Sequence, residues 1–277
     1  MDFEQLFDII YYELNVYYLQ PNIFYNLRNI KKVCKKWNLF WIYDKIIRLD
    51  INIDKIIPNE KIFSLKNLNN IKYLNFNNNY VRDFFFCEQL LYLYCENTNI
   101  SEIPETLNCL EELICHNCYN LIKIPGIKTL KKLDCSWTNI SEIPETLNCL
   151  EELICYGCDN LIKIPEIKTL KILNCKFTNI SKIPETLKCL EKLICIGCYN
   201  LEKIPETLNC LEELYCPFCK NLIKIPKIKT LKRLDCYGTN INEIPGELNY
   251  LEELFCNKNI KLPTTLLNLK KINGIIK

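Results

Sequence analysis

The sequence predicts a curved solenoid of the α/β-type repeat class, with a parallel sheet on its concave face, preceded by a small all-helical domain. Three observations carry this prediction: a period of about 20 residues, a cysteine held in one phase of that period, and an N-terminal stretch with helical spacing and no repeat. Leucines at 90, 110, 130, 150, 170, 190, 211, 231 and 251 each open a string L-x-x-L-x-C, every step being 20 residues except one of 21. Nine cysteines close these strings: Cys95, Cys115, Cys135, Cys155, Cys175, Cys195, Cys216, Cys236 and Cys256. Such a period marks stacked units, none of which can bury its apolar face alone.

Within one unit, Leu113 and Cys115 alternate with Glu112, Ile114 and His116. That is strand periodicity, which aims Leu113 and Cys115 at the core. The unit then runs through Leu121 and Ile124 to Pro125. Proline cannot continue a hydrogen-bonded ladder, so Ile-Pro ends the return segment. Neighbouring strands about 4.8 Å apart would give roughly ten strands and a slab about 45–50 Å long. Two unit types alternate: L-x-x-L-x-C-x-x-C-x-N-L-x-K-I-P from 110, 150, 190 and 211, and L-x-x-L-x-C-x-x-T-N-I-x-x-I-P from 90, 130, 170 and 231. The units resemble leucine-rich repeats, L-x-x-L-x-L-x-x-[N/C/T]-x-L, with cysteine in the third apolar slot. The predicted organisation is 1–45 helical, 46–89 degenerate repeats (Ile46 to Pro58 and Ile71 to Phe76), 90–268 repeats, and 269–277 a terminal cap.

Composition excludes several function classes. The 277 residues carry 35 Lys+Arg against 33 Asp+Glu, which gives no electrostatic reason to expect nucleic acid or a membrane surface as partner. No apolar run reaches the roughly 18 residues of a membrane span, and Met1-Asp2-Phe3-Glu4 does not open like a signal peptide. The odd count of 19 cysteines in a long chain points to reduced thiols and an intracellular, cytoplasmic setting rather than a disulfide scaffold. Four C-x-x-C pairs, Cys115/Cys118, Cys155/Cys158, Cys195/Cys198 and Cys216/Cys219, have the spacing of half a zinc site. However, Thr98, Thr138, Thr178 and Thr239 replace the second cysteine in the alternate units, and a metal ligand would not be exchanged in that way. No metal and no cofactor is therefore expected, and the cysteines are read as packing groups. Cys109, Cys149, Cys189 and Cys210 recur before the opening leucine and receive the same core reading. His116 is the single histidine, and six glycines supply no phosphate loop, so no enzyme chemistry is indicated.

Residues 1–45 place Phe3, Leu6, Phe7, Ile10 and Leu14 at helical spacing, and a second such run follows Pro21. Val33-Cys34-Lys35-Lys36-Trp37 resembles the V-C-[KR]-x-W signature of F-box domains, and Gln5 to Ile10 is similar to their opening helix, although Asp2-Phe3 stands where Leu-Pro is usual. The resemblance implies that this segment docks on the adaptor protein of a cullin-RING ubiquitin ligase through Leu6, Ile9, Ile10, Val33 and Trp37, while the repeats hold a protein substrate. The alternative is a stand-alone repeat adaptor whose N-terminal helices only cap the stack.

Residues 99–138 and 139–178 are two copies of a 40-residue unit that differ at eight places. Six of these (116/156, 117/157, 132/172, 134/174, 136/176 and 137/177) fall on the outward strand face or just past it. The expected partner-binding residues are therefore Tyr94, Ile114, Ile154, Ile194, Tyr215 and Phe255 in the outward strand row, with Trp137, Tyr156, Phe177, Phe218 and Tyr237 at the strand ends. A contiguous apolar and aromatic row of this kind marks an interface.

Overall fold

The structure is a computed structural model that describes residues 72–76 and 88–276, together with strands β1 (Tyr18–Leu19), β2 (Asn22–Ile23) and β3 (Arg48–Ile51). Beyond β3 follow β4 (Tyr73–Phe76), one three-residue strand per coil from β5 (Tyr92–Tyr94) to β13 (Glu253–Phe255), and the short β14 (Lys271–Ile272) and β15 (Ile275–Ile276). From β3 to β15 they form one 13-stranded sheet in sequence order. All its pairings are parallel except the last, in which β15 folds back on β14. Twelve spacings make the sheet about 58 Å long, more than the ten-strand expectation, because the degenerate units contribute β3 and β4 in register, Leu49 beside Leu74.

The register is set by the leucines. Leu93, Leu113, Leu133, Leu153, Leu173, Leu193, Leu214, Leu234 and Leu254 stand side by side across the sheet and are buried. The opening leucines, the nine strand-closing cysteines and the Ile-Pro isoleucines fill the rest of one continuous core. Burying each such leucine is worth roughly 1.5–3 kcal/mol, and a slip by one residue would turn the row to solvent. The chain then returns through turns and extended segments. Among the described residues every regular element is a strand, so the α/β-type expectation is corrected: each coil from β5 onward closes without a helix. A proline on the return side of every coil from β5 to β13, such as Pro125 and Pro144, is incompatible with a helix interior. At the far end Asn273 and Gly274 both take left-handed φ, +50° and +81°, the twist that joins two strands by a two-residue turn.

Of the segment 1–45, expected to be all-helical, only β1 and β2 are described, and the rest of that expectation lies outside the described residues. Tyr18 pairs with Ile23 and Leu19 with Asn22, antiparallel, on either side of Gln20-Pro21. Leu6, Ile9, Ile10, Val33 and Trp37 lie outside the described residues. No helix of the described residues is long and apolar enough to cross a membrane.

Candidate functional site

The outer side of the sheet is built from rows that run along the stack, one residue per coil. The first strand position carries Glu112, Lys132, Glu152, Ile172, Lys192, Glu213, Arg233, Glu253 and Lys271. Lys132 lies between Glu112 (3.5 Å) and Glu152 (3.8 Å), and Arg233 between Glu213 (3.1 Å) and Glu253 (3.6 Å). Lys192 and Lys271 close on Glu213 and Glu253 at 2.7 and 2.9 Å. Hydrogen bonds from these ammonium groups hold both carboxyls below the usual range. The charges neutralise one another within the row, so it projects no single-sign field.

The last strand position was expected to offer Tyr94, Ile114, Ile154, Ile194, Tyr215 and Phe255. Only Phe255 is open, at 40% exposure, and Ile114 is buried at 8%, which removes it from the accessible face. Ile114 stands beside Tyr94 and Asp134 in the row, and Ile154, Ile194, Tyr94 and Tyr215 are half-buried. Asp134, Asn174 and Asp235 interrupt this row and turn back on their own coils. Asp134 accepts from the Ser136 amide and hydroxyl at 3.0 and 2.7 Å, with His116 at 3.7 Å, and Asp235 accepts from the Tyr237 amide at 3.1 Å. His116 therefore has an acidic neighbour one coil on.

The strand ends hold the open aromatic groups. The backbone ladder continues past each strand, and three residues beyond its end the amides of Trp137, Phe177 and Phe218 donate to the next coil's Tyr156, Ile196 and Tyr237 carbonyls at 2.7–2.9 Å. Aiming those amides requires left-handed backbone, and these three residues have φ of +54°, +51° and +63°. On the following coils the same place is Gly157, Gly197 and Gly238, at +68°, +65° and +70°. Each ring lies on the glycine of the next coil: a Cβ on Gly157 would stand 2.6 Å from Trp137, and one on Gly197 or Gly238 2.6 Å from Phe177 or Phe218. The rings are thus packed on one side, and 41%, 41% and 42% exposed. Trp137, Tyr156 and Phe177 form a continuous cluster over three coils, with centroid separations of 4.8 and 5.7 Å and Lys176 4.7 Å above Tyr156. Phe218 and Tyr237 meet edge to face at 5.9 Å. The structure therefore brings together two groups from the expected set. Tyr73 and Tyr92 join Tyr94 at the other end of the sheet, 6.3 Å from each other and with Tyr73 5.1 Å from Tyr94, and sequence spacing alone did not select them.

In the first coils the left-handed row is filled differently, by Asn97 and Asn117, joined side chain to side chain at 2.9 Å. The 117/157 difference between the two 40-residue copies therefore follows from the residue it packs on, Asn97 or Trp137. It does not by itself signal a diversified binding surface.

Beneath these turns lie the second cysteines and their threonine counterparts, which are not interchangeable. Thr98, Thr138 and Thr178 donate to the carbonyl three residues back in their own coil at 2.6–2.7 Å. Cys118, Cys158 and Cys198 reach back to the same carbonyls, of Cys95, Cys135 and Cys175, from the following coil at 3.0–3.1 Å. Each of these buried carbonyls thus receives two donors. Among the described residues no group of three or more His, Cys, Asp or Glu is arranged to hold a metal ion. Cys109, Cys149, Cys189 and Cys210, expected in the core, are exposed. They sit in the turn before the strand, where the leucine on either side takes the inward place, as Leu107 and Leu110 do around Cys109.

No protein-family model matches the chain, and no curated protein matches it. Among solved structures it is similar to the Leptospira interrogans leucine-rich-repeat protein LIC12759, with a TM-score of 0.68 and 22% identity over 85% of this chain and 68% of that one. It is also similar to the functional domain of InlJ from Listeria monocytogenes, which includes a cysteine ladder, with a TM-score of 0.54 and 18% identity over 82% of this chain and 62% of that one. With the in-register leucine rows and the 20-residue coils, these likenesses make the fold that of a leucine-rich-repeat solenoid.

Proposed function

We propose that the chain is a non-enzymatic, intracellular binding protein whose outer sheet face holds another protein. The observation that carries this is the row of half-exposed rings Trp137, Phe177 and Phe218, with Tyr237 and Phe255 beside them. Inter-coil packing fixes these rings before any partner arrives, so little side-chain entropy is lost on binding. Aromatic anchors with one face packed and one open are favoured at protein interfaces, and the self-neutralised charge row beside them suits a protein better than a polyanion. A photo-crosslinking residue in place of Tyr237 or Phe177 should give partner adducts in cells. The same residue in place of Ile162, exposed on the return side, should give none. Equal labelling from both sides, or none from the sheet face, would sink this reading.

The segment 1–45 supports a more specific role on sequence grounds, through the F-box-like string Val33 to Trp37. In that role the repeats present their bound protein to a cullin-RING ligase, whose adaptor docks on Leu6, Ile9, Ile10, Val33 and Trp37. Pull-down with the adaptor separates this from a stand-alone repeat protein. Retention by the wild-type chain and loss in Val33→Asp with Trp37→Ala support the ligase role. Failure of the wild-type chain to bind leaves the stand-alone reading.

A further inference from the structure

Cysteine-bearing turns of the form Pro-Glu-Thr-Leu-x-Cys-Leu recur along the stack, and at one place two of them fall on neighbouring coils: 184–190 and 205–211. This is where the alternation of unit types breaks and the step lengthens to 21 residues. The two turns have the same internal hydrogen bonds: Lys188 amide to Thr186 carbonyl (2.8 Å) and Leu190 to Leu187 (3.1 Å), matched by Asn209 to Thr207 (2.9 Å) and Leu211 to Leu208 (3.1 Å). The coils are tied on both sides of the cysteines, by Thr207 Oγ1 to the Glu185 carbonyl and by the Glu212 amide to the Glu191 carbonyl, each 2.8 Å. Cys189 and Cys210, both exposed, therefore stand in register one coil apart. That puts their Cα atoms about 5 Å apart, inside the roughly 4.4–6.8 Å span of disulfides.

The direction of the side chain at this row is visible elsewhere in the stack. After Cys109, Cys149 and Cys210 the next coil carries Thr129, Thr169 and Thr230 in the same place. Each hydroxyl reaches back to the two carbonyls that bracket the preceding cysteine, for example Asn108 and Leu110 at 3.0 and 2.7 Å. The threonine γ oxygens in this row thus lie over the cysteine of the coil before them, and Cys210 holds the same place one coil after Cys189. The seam also lacks a charge rung. Lys131–Glu111, Lys171–Glu151, Lys232–Glu212 and Lys270–Glu252 pair neighbouring coils at 2.7–3.0 Å, whereas at the seam two acids, Glu191 and Glu212, are neighbours.

We propose that Cys189 and Cys210 are a modification site, a dithiol that a small-molecule disulfide such as glutathione disulfide converts to an intrachain disulfide across this seam. One protein thiolate attacks the small disulfide, forming a mixed disulfide and releasing one small thiol. The second protein thiolate displaces the other small thiol and closes the protein S–S bond. The two protons of the protein thiols end on the two released thiols. Cys109 and Cys149 are two coils from each other and two from Cys189 or more, about 10 Å, so they stop at the mixed disulfide.

The test treats the folded full-length chain with glutathione disulfide, blocks remaining thiols, and maps tryptic peptides without reduction. The expected product joins peptide 189–192 to peptide 204–220 through Cys189 and Cys210. Cys109 and Cys149 should carry glutathione or the blocking group. In Cys189→Ser, which circular dichroism should show to be folded, Cys210 should instead carry glutathione. The oxidised wild-type chain should melt a few degrees above its reduced form, a difference that Cys189→Ser abolishes. Separate glutathione adducts on Cys189 and Cys210, at the level seen on Cys109 and Cys149 and with no joined peptide, would overturn the proposal.

Discussion

The turn after each strand has an inner and an outer side, and the two follow different rules. Inside, Thr98, Thr138 and Thr178 with Cys118, Cys158 and Cys198 repeat one arrangement on the same carbonyl. Outside, the left-handed row changes from an asparagine pair to tryptophan on glycine and then to phenylalanine on glycine. The inner side is uniform because a buried carbonyl without donors costs about 1–3 kcal/mol, and few side chains fit there. The outer side varies because water satisfies its polar groups, yet it varies in pairs: what one coil carries decides what the next can accept. Variation along the face therefore reports packing between neighbours as well as any partner.

Substitutions at four kinds of position separate these rules. Gly197→Ala combines a strained left-handed φ with a collision against Phe177, and should cost about 2–3 kcal/mol, read as a drop in melting temperature of roughly 5–10 °C. A loss within about 0.5 kcal/mol would show that the ring moves freely and is not packed on that glycine. Thr138→Val removes one of two donors to the Cys135 carbonyl, so chemical denaturation should show a loss of about 1–2 kcal/mol. Thr98→Val and Thr178→Val should match it, and a wide spread among the three would contradict the uniform inner rule. Glu213→Gln breaks the contacts to Lys192 and Arg233 and should cost no more than about 1 kcal/mol, less at high salt. Because the folded carboxyl titrates below its unfolded counterpart, this contribution is present at neutral pH. It fades as the pH falls through that lowered value, and the variant should flatten the acid limb of the stability profile accordingly. Asn117→Gly gives up one exposed side-chain bond but relieves a left-handed asparagine, so its effect should stay within about 0.5 kcal/mol.

The stack itself was legible in the sequence because the leucine at the centre of each strand and the cysteine that follows are both buried, and burial repeats with the coil. The same regularity misled for Cys109, Cys149, Cys189 and Cys210. Recurrence in phase shows equivalent positions, and in a solenoid an equivalent position can be equally exposed. Ile114 misled in the opposite sense, since a residue on the outward side of a strand can still be buried. Of the expected binding residues, the strand-end rings were recognisable as aromatic groups at coil spacing. Their mounting on Gly157, Gly197 and Gly238 was also written in the sequence, one coil later in the same row. Reading it needed the left-handed backbone, which spacing does not reveal. The same holds for Thr138 and Cys158, which align in the repeat but serve the Cys135 carbonyl from different coils.

The pairwise rule is tested most directly by a double-mutant cycle at Trp137 and Gly157, each changed to asparagine alone and together, followed by chemical denaturation. Gly157→Asn alone drives a side chain into the indole, Trp137→Asn alone uncovers the glycine, and the double variant recreates the Asn97–Asn117 pair. The double variant should be more stable than the sum of the single losses by about 1–2 kcal/mol. Losses that simply add, within roughly 0.5 kcal/mol, would contradict it.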